Sequence, residues 1–190
     1  MKLPRDNFAR RKLLKAGLLG AAAIFPLGGG AAQWAAEPIL RSSTTRALSF
    51  YNVHTGETLD TVYFENGEYV PGALREVNYF FRDYRTNEVK AIDPRLLDLL
   101  HRIRRALDTS QPFNLISGYR SATTNAWLAS QSEGVSRHSL HMDGMASDVN
   151  VQGRSLMLLH TVALAMRGGG VGYYPRSEFV HVDTGRIRRW

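Results

Sequence analysis

Apolar and polar positions alternate from Ala47 to Val53 and again from Thr58 to Phe64, on either side of the polar stretch His54-Thr55-Gly56-Glu57. That pattern predicts two strands joined by a turn, with a second turn at Glu65-Asn66-Gly67-Glu68. The period then changes. Leu74, Val77, Tyr79, Phe80, Phe81 and Tyr84 recur at helical spacing and predict a helix over 72–84. Asp93 followed by Pro94 forms a helix start. Behind it Leu96, Leu97, Leu99, Leu100, Ile103 and Leu107 share one face, against Arg102, Arg104 and Arg105 on the other. Such a stripe is a core-facing surface with a solvated back.

The second half alternates shorter elements. Phe113–Ile116 predicts a strand that runs into Ser117-Gly118-Tyr119-Arg120-Ser121, and a short helix follows over 123–131. A loop over 132–145 carries Gly134, Gly144 and two histidines. A strand over Ala146–Val151, a helix over Ser155–Arg167 stopped by Gly168-Gly169-Gly170, and a last strand over Phe179–Asp183 complete the chain. Polar residues with chemical potential gather at strand ends and loops, where sites are usually built.

Length and composition narrow the function. A chain of 190 residues accommodates one domain. With no cysteine there is no disulfide framework, thiol nucleophile, iron–sulfur cluster, cysteine zinc site or lipoprotein anchor. A metal would have to sit on His, Asp or Glu. The net charge of +7 suggests nucleic acid at first. However, residues 1–32 hold six basic residues against Asp6, leaving 18 basic and 16 acidic residues in the remainder. That near balance argues against a nucleic-acid partner.

The basic excess belongs to a leader. Arg10-Arg11-Lys12-Leu13-Leu14-Lys15 precedes an apolar stretch, Ala16 to Leu27, and the small residues Gly28 to Ala32. This is the layout of a secretory signal, and its core is short of the roughly 20 residues that span a bilayer. The paired arginines resemble the twin-arginine signal, which exports folded proteins, although Ala9 stands where Ser or Thr is usual. The expected organisation is a signal peptide at 1–32, cleaved after Ala32 or Ala36, a linker at 33–45 and a catalytic domain at 46–190. The expected location is the periplasm, by way of the twin-arginine export machinery, with no stable membrane anchor after cleavage. An uncleaved anchoring helix is the alternative.

One constellation carries chemistry. His141 enters from the loop, and Asp148 follows on the strand that alternates Ala146, Asp148 and Asn150 against Ser147, Val149 and Val151. On the last strand His181 and Asp183 share a face opposite Val180 and Val182. A buried carboxylate needs a partner, and two strands plus a loop histidine can assemble a His-Asp-His site with a fourth position open to water. By spacing alone an ordinary hydrogen-bonded His–Asp pair remains the alternative. His54, His101 and His160 read as structural or exposed, and no motif requires His138 as a ligand.

The segment Ser139-Leu140-His141-Met142-Asp143-Gly144-Met145-Ala146-Ser147-Asp148, with Ser117-Gly118-Tyr119-Arg120 upstream and His181 downstream, resembles the zinc D-Ala-D-Ala carboxypeptidase and hedgehog-type peptidase group. Asn52–Glu57, Phe80–Arg85 and Gly168–Ser177 are similar to the exported murein endopeptidase K subfamily. The resemblance implies Zn2+ on His141, Asp148 and His181. It further implies hydrolysis of peptidoglycan cross-links, D-Ala–meso-diaminopimelate and diaminopimelate–diaminopimelate. The expected fold is α+β, a small antiparallel sheet with flanking helices. Arg120 is the candidate to stabilise the reacting carbonyl or hold a substrate carboxylate.

Two carboxylates compete for the role of general base. Asp183 is preferred because strand alternation faces it with His181, with orientation of a histidine as its rival role. Glu178, three residues before His181, resembles the acid/base position of some D-Ala-D-Ala dipeptidases. Ser117 and Ser139 lack the Ser-x-x-Lys setting of serine chemistry. The rival functions are a non-catalytic peptidoglycan-binding domain with a structural zinc, and a D-Ala-D-Ala carboxypeptidase.

Overall fold

The computed structural model describes residues 45–190 apart from residue 133. The expected signal peptide, and the linker up to residue 44, lie outside the described residues. The first hairpin forms as its alternation predicts, with β1 (Arg46–Asn52) antiparallel to β2 (Thr58–Glu65) and a two-residue β3 (Glu68–Tyr69) beyond it.

Helix α1 (Pro71–Phe80) ends earlier than the apolar spacing suggests. The chain turns there because Asp83 accepts the Arg85 N–H and Tyr84 stacks on His54 at 4.1 Å between ring centres. Helix α2 (Pro94–Ala106) starts as predicted, its Asp93 carboxylate accepting the Arg95 N–H. It buries Leu96, Leu97, Leu99, Leu100 and Ile103. There follow β4 (Phe113–Ser117), α3 (Ala122–Gln131), one turn of 3-10 helix (Leu140–Asp143), β5 (Ala146–Val151) and α4 (Leu156–Met166). The chain closes with β6 (Gly170–Tyr174), β7 (Phe179–Asp183) and a two-residue β8 (Arg188–Arg189).

The strands form one eight-stranded sheet in the order β3-β2-β1-β4-β5-β7-β6-β8. The expectation of a small antiparallel sheet is corrected in both respects. The sheet is large, and it is mixed, since β1 runs parallel to β4 and β6 parallel to β8. Parallel neighbours require a long return path, and the stretch from β2 through α2 supplies it for β1 and β4. Strand β6 escapes the sequence pattern because two of its five residues are glycine, which weakens any strand signal.

Helices α2 and α4 pack on each other, α2 against β1 and α4 against β5, β6 and β7. Phe50, Phe113, Val149, Val151, Val180 and Val182 join Leu159 and Ala163 of α4 in one core. Register places Val149 beside Val180 and Asp148 beside His181. With the valines turned to the helices, the alternation of strands puts Asp148, His181 and Asp183 on the opposite face.

Candidate metal centre

Three side chains converge on that face. His141 Nε2 lies 3.2 Å from Asp148 Oδ1 and 3.2 Å from His181 Nδ1, and His181 Nδ1 lies 2.9 Å from Asp148 Oδ1. All three residues are buried. The outer nitrogen of each imidazole already has an acceptor. His141 Nδ1–H donates to the Gly118 carbonyl at 2.7 Å, and His181 Nε2–H donates to Asp183 Oδ2 at 3.0 Å. Those bonds fix the tautomers of the neutral rings. With both rings neutral, the lone pairs of His141 Nε2 and His181 Nδ1 face the same carboxylate oxygen, a position that either a proton on His181 or a metal ion satisfies. Such a donor set asks for a cation.

The set fits zinc. Ligand atoms about 2.1 Å from a tetrahedral zinc stand about 3.4 Å from one another, close to the observed separations. Each histidine is also backed by a carbonyl or a carboxylate, the usual support of a zinc-binding imidazole.

The carboxylate is held ionised. Burial pushes Asp148 up, but His141, His181 and Arg120 outweigh it and keep the carboxyl well below the usual range. Burial pushes the His141 imidazole down, whereas at His181 the bonds to Asp148 and Asp183 overcome burial and raise it. Arg120 Nη2 pairs with Asp148 Oδ2, and Arg120 Nε–H donates to Ser117 Oγ at 2.9 Å.

The loop that carries Arg120 is clamped by the first half of the chain. Tyr119 N–H donates to the Phe81 carbonyl at 2.7 Å, and both the N–H and the hydroxyl of Ser121 donate to Asp83 Oδ2. A Cβ at Gly118 would stand 2.5 Å from the Phe81 carbonyl oxygen, so only glycine lets these segments meet. His54 Nε2 sits 3.0 Å from the Ile116 carbonyl, beside the irregularity between Leu115 and Ser117 that aligns β4 with Asp148.

The two candidate bases occupy different environments. Asp183 is wholly buried and ringed by donors. The N–H groups of Gly170 and Gly185 reach Oδ1 at 2.9 and 2.8 Å, and Arg188 reaches both oxygens at 3.1 and 2.8 Å. Asp183 meets the centre only through His181. Glu178 is exposed at a left-handed position, φ 56°, and does not line the cleft. The glycine run after α4 has a second use here. A Cβ at Gly170 would fall 2.4 Å from Asp183 Oδ2, so the residue must be small for the carboxylate to lie against its N–H.

A cleft of about 550 Å3 opens over the centre. Arg120, His138 and Ser139 line it on one side, Tyr174, Phe179 and Trp190 form an aromatic wall, and Arg186 and Arg188 complete it. The Trp190 ring lies 5.2 Å from that of His181, its Nε1–H donating to Tyr174 Oη at 2.7 Å. Arg188, Trp190 and Gly170 escaped the sequence reading. Residues 188–190 carry no pattern until β8 pairs beside β6, and the glycines read as a helix stop.

This fold and donor set accord with a metallopeptidase, and the chain belongs to the family described as peptidoglycan L,D-endopeptidase MepK, whose pattern matches residues 41–190. The protein named peptidoglycan L,D-endopeptidase MepK in Escherichia coli is 46% identical over 183 residues, covering 95% of this chain and 96% of its own. One of the same name in Shigella flexneri shows the same identity and coverage. A probable peptidoglycan L,D-endopeptidase MepK of Haemophilus influenzae is 41% identical over 146 residues, 76% of this chain and 78% of its own.

Proposed function

We propose that this chain is an exported, zinc-dependent peptidoglycan endopeptidase that hydrolyses D-Ala–diaminopimelate and diaminopimelate–diaminopimelate cross-links. The carrying observation is the meeting of His141 Nε2, Asp148 Oδ1 and His181 Nδ1 at 2.9–3.2 Å beneath an open cleft. When bound there, zinc lowers the pKa of its water towards about 7 and makes a hydroxide available at neutral pH.

The protein groups have separable tasks in this reading. His141 and His181 present lone pairs because Gly118 and Asp183 hold their outer N–H groups. Arg120 pairs with Asp148 through Nη2, adding to the stronger effects of His141 and His181 that keep the carboxylate ionised, and its Nη1 has no protein partner among the described residues. That free end is the donor offered to the oxygen that becomes negative as water adds to the amide carbonyl. Asp183 orients His181, while Glu178 stays outside the reaction. Support for this division comes from the full set of donors around Asp183 and from the exposure of Glu178. Export by the twin-arginine route rests on Arg10 and Arg11.

Purified mature protein incubated with cross-linked muropeptide dimers, with and without chelator and added zinc, tests the activity. Zinc-restored release of monomers is expected, the product masses identifying the bond. His141→Ala, Asp148→Ala and His181→Ala should each lose both zinc and hydrolysis. Zinc binding with intact dimers would favour the non-catalytic binding domain instead. Cleavage confined to free D-Ala-D-Ala would favour the carboxypeptidase.

A further inference from the structure

Three arginines line the cleft, and two of them are neutralised inside the protein. Arg120 pairs with Asp148, and Arg188 pairs with Asp183. Arg186 has no acidic partner among the described residues and is exposed at the cleft rim. Its backbone is nevertheless tied to the metal centre. Gly185 N–H donates to Asp183 Oδ1 at 2.8 Å, and the Arg186 carbonyl accepts from Arg188 Nη1 at 3.1 Å. Thr184 anchors the other side of the turn, its N–H on the Met145 carbonyl at 3.0 Å and its hydroxyl on Asp93 Oδ2 at 2.8 Å. The turn leaves Asp183, the residue behind His181, and its held backbone presents the Arg186 side chain to the same cleft as the centre.

The substrate class supplies a matching anion. In either cross-link the nitrogen of the scissile amide sits on a carbon of diaminopimelate that also bears a free carboxylate. A carboxylate next to the leaving amine lies a few ångströms from the carbonyl under attack. A guanidinium suits it as a planar donor fork. Resting on the endopeptidase reading above, we propose that Arg186 binds the carboxylate of the diaminopimelate whose amine leaves. It is the specificity residue of the cleft for a leaving group that carries a negative charge. The aromatic wall of Trp190, Tyr174 and Phe179 lines the same cleft, leaving an apolar surface for the aliphatic part of the substrate.

The test compares two cross-linked dimers that differ only in this carboxylate, free in one and amidated in the other. With the free form, Arg186→Gln should raise KM about 10- to 100-fold and leave kcat within about threefold, the loss of one charged hydrogen-bonded pair. With the amidated dimer the unsubstituted enzyme should already show the higher KM, and the substitution should change nothing further. Arg186→Lys should recover part of the loss. Binding to the metal-free protein, measured by calorimetry, should show the same preference for the free carboxylate and its disappearance in Arg186→Gln. Equal KM values for variant and unsubstituted enzyme on the free dimer, or an equal loss on both dimers, would overturn the role of Arg186 alone. Failure of the unsubstituted zinc enzyme to cut either dimer would overturn the endopeptidase reading and Arg186 with it.

Discussion

His181 is gripped at both ring nitrogens, by Asp148 on the side of the centre and by Asp183 behind it. This geometry makes the two candidate bases experimentally separable. If Asp183 orients the ring, Asp183→Asn should weaken zinc about 10- to 100-fold, as loss of a partner behind a ligand does. Turnover should then fall at limiting zinc and return largely with excess metal. A proton-transferring Asp183 would give the opposite result, retaining zinc while losing turnover by roughly two or more orders of magnitude at every zinc concentration. Glu178→Gln should keep zinc and stay within about threefold of normal turnover, because the side chain is exposed and outside the cleft. Zinc content and turnover measured together on both variants decide between these roles.

At the scale of elements, the loop from Ser117 to Ser121 depends on contacts made far away in sequence. Gly118→Ala forces a methyl group against the Phe81 carbonyl, so the two segments must part. The expected cost is about 1–3 kcal/mol in thermal or denaturant unfolding, with weaker zinc because the acceptor of His141 Nδ1–H moves. Asp83 makes the same clamp sensitive to acid. Burial pushes its carboxyl up, but bonds from Thr124, Ser121 and Arg85 prevail and set it below its ordinary value of 3.8. A carboxyl depressed on folding stabilises above its unfolded pKa and loses that contribution as pH falls through the folded value. Asp83→Asn should therefore destabilise near pH 7 by about 1–3 kcal/mol, and its gap to the unsubstituted protein should close well below pH 3.8. A gap that stays constant down to acid unfolding would remove the charge from this account. The sequence was legible where periodicity is strong, in α2, β5 and β7, and that alternation already faced Asp148 and His181 away from the valines. It was silent where partners are remote or side chains absent. Nothing local announces that Gly170 and Arg188 will enclose Asp183, so parity alone showed its facing without its task. Two-residue strands and the glycines of β6 likewise carry no period to read.

For the whole molecule, the two halves of the chain divide the labour. The first supplies the hairpin, α1 and the Phe81–Asp83 corner that grips the site loop. The second supplies all three proposed ligands. A centre assembled from residues 141, 148 and 181 and braced by residues 81 and 83 exists only once segments about a hundred residues apart have folded together. That dependence suits export in the folded state, with metal acquired before transfer. On the proposed twin-arginine route, the paired arginines then have a consequence beyond addressing. If export follows that route, changing Arg10-Arg11 to Lys-Lys should leave unprocessed precursor in the cytoplasm, because the route reads the pair while the apolar stretch from Ala16 to Leu27 is unchanged. Fractionation with detection of precursor and mature forms measures this directly. The retained precursor should be folded and protease-resistant, and it should carry zinc. Normal processing of the Lys-Lys form would mean that the chain crosses the membrane unfolded by the general secretory route. Its metal centre would then have to assemble from zinc taken up after export.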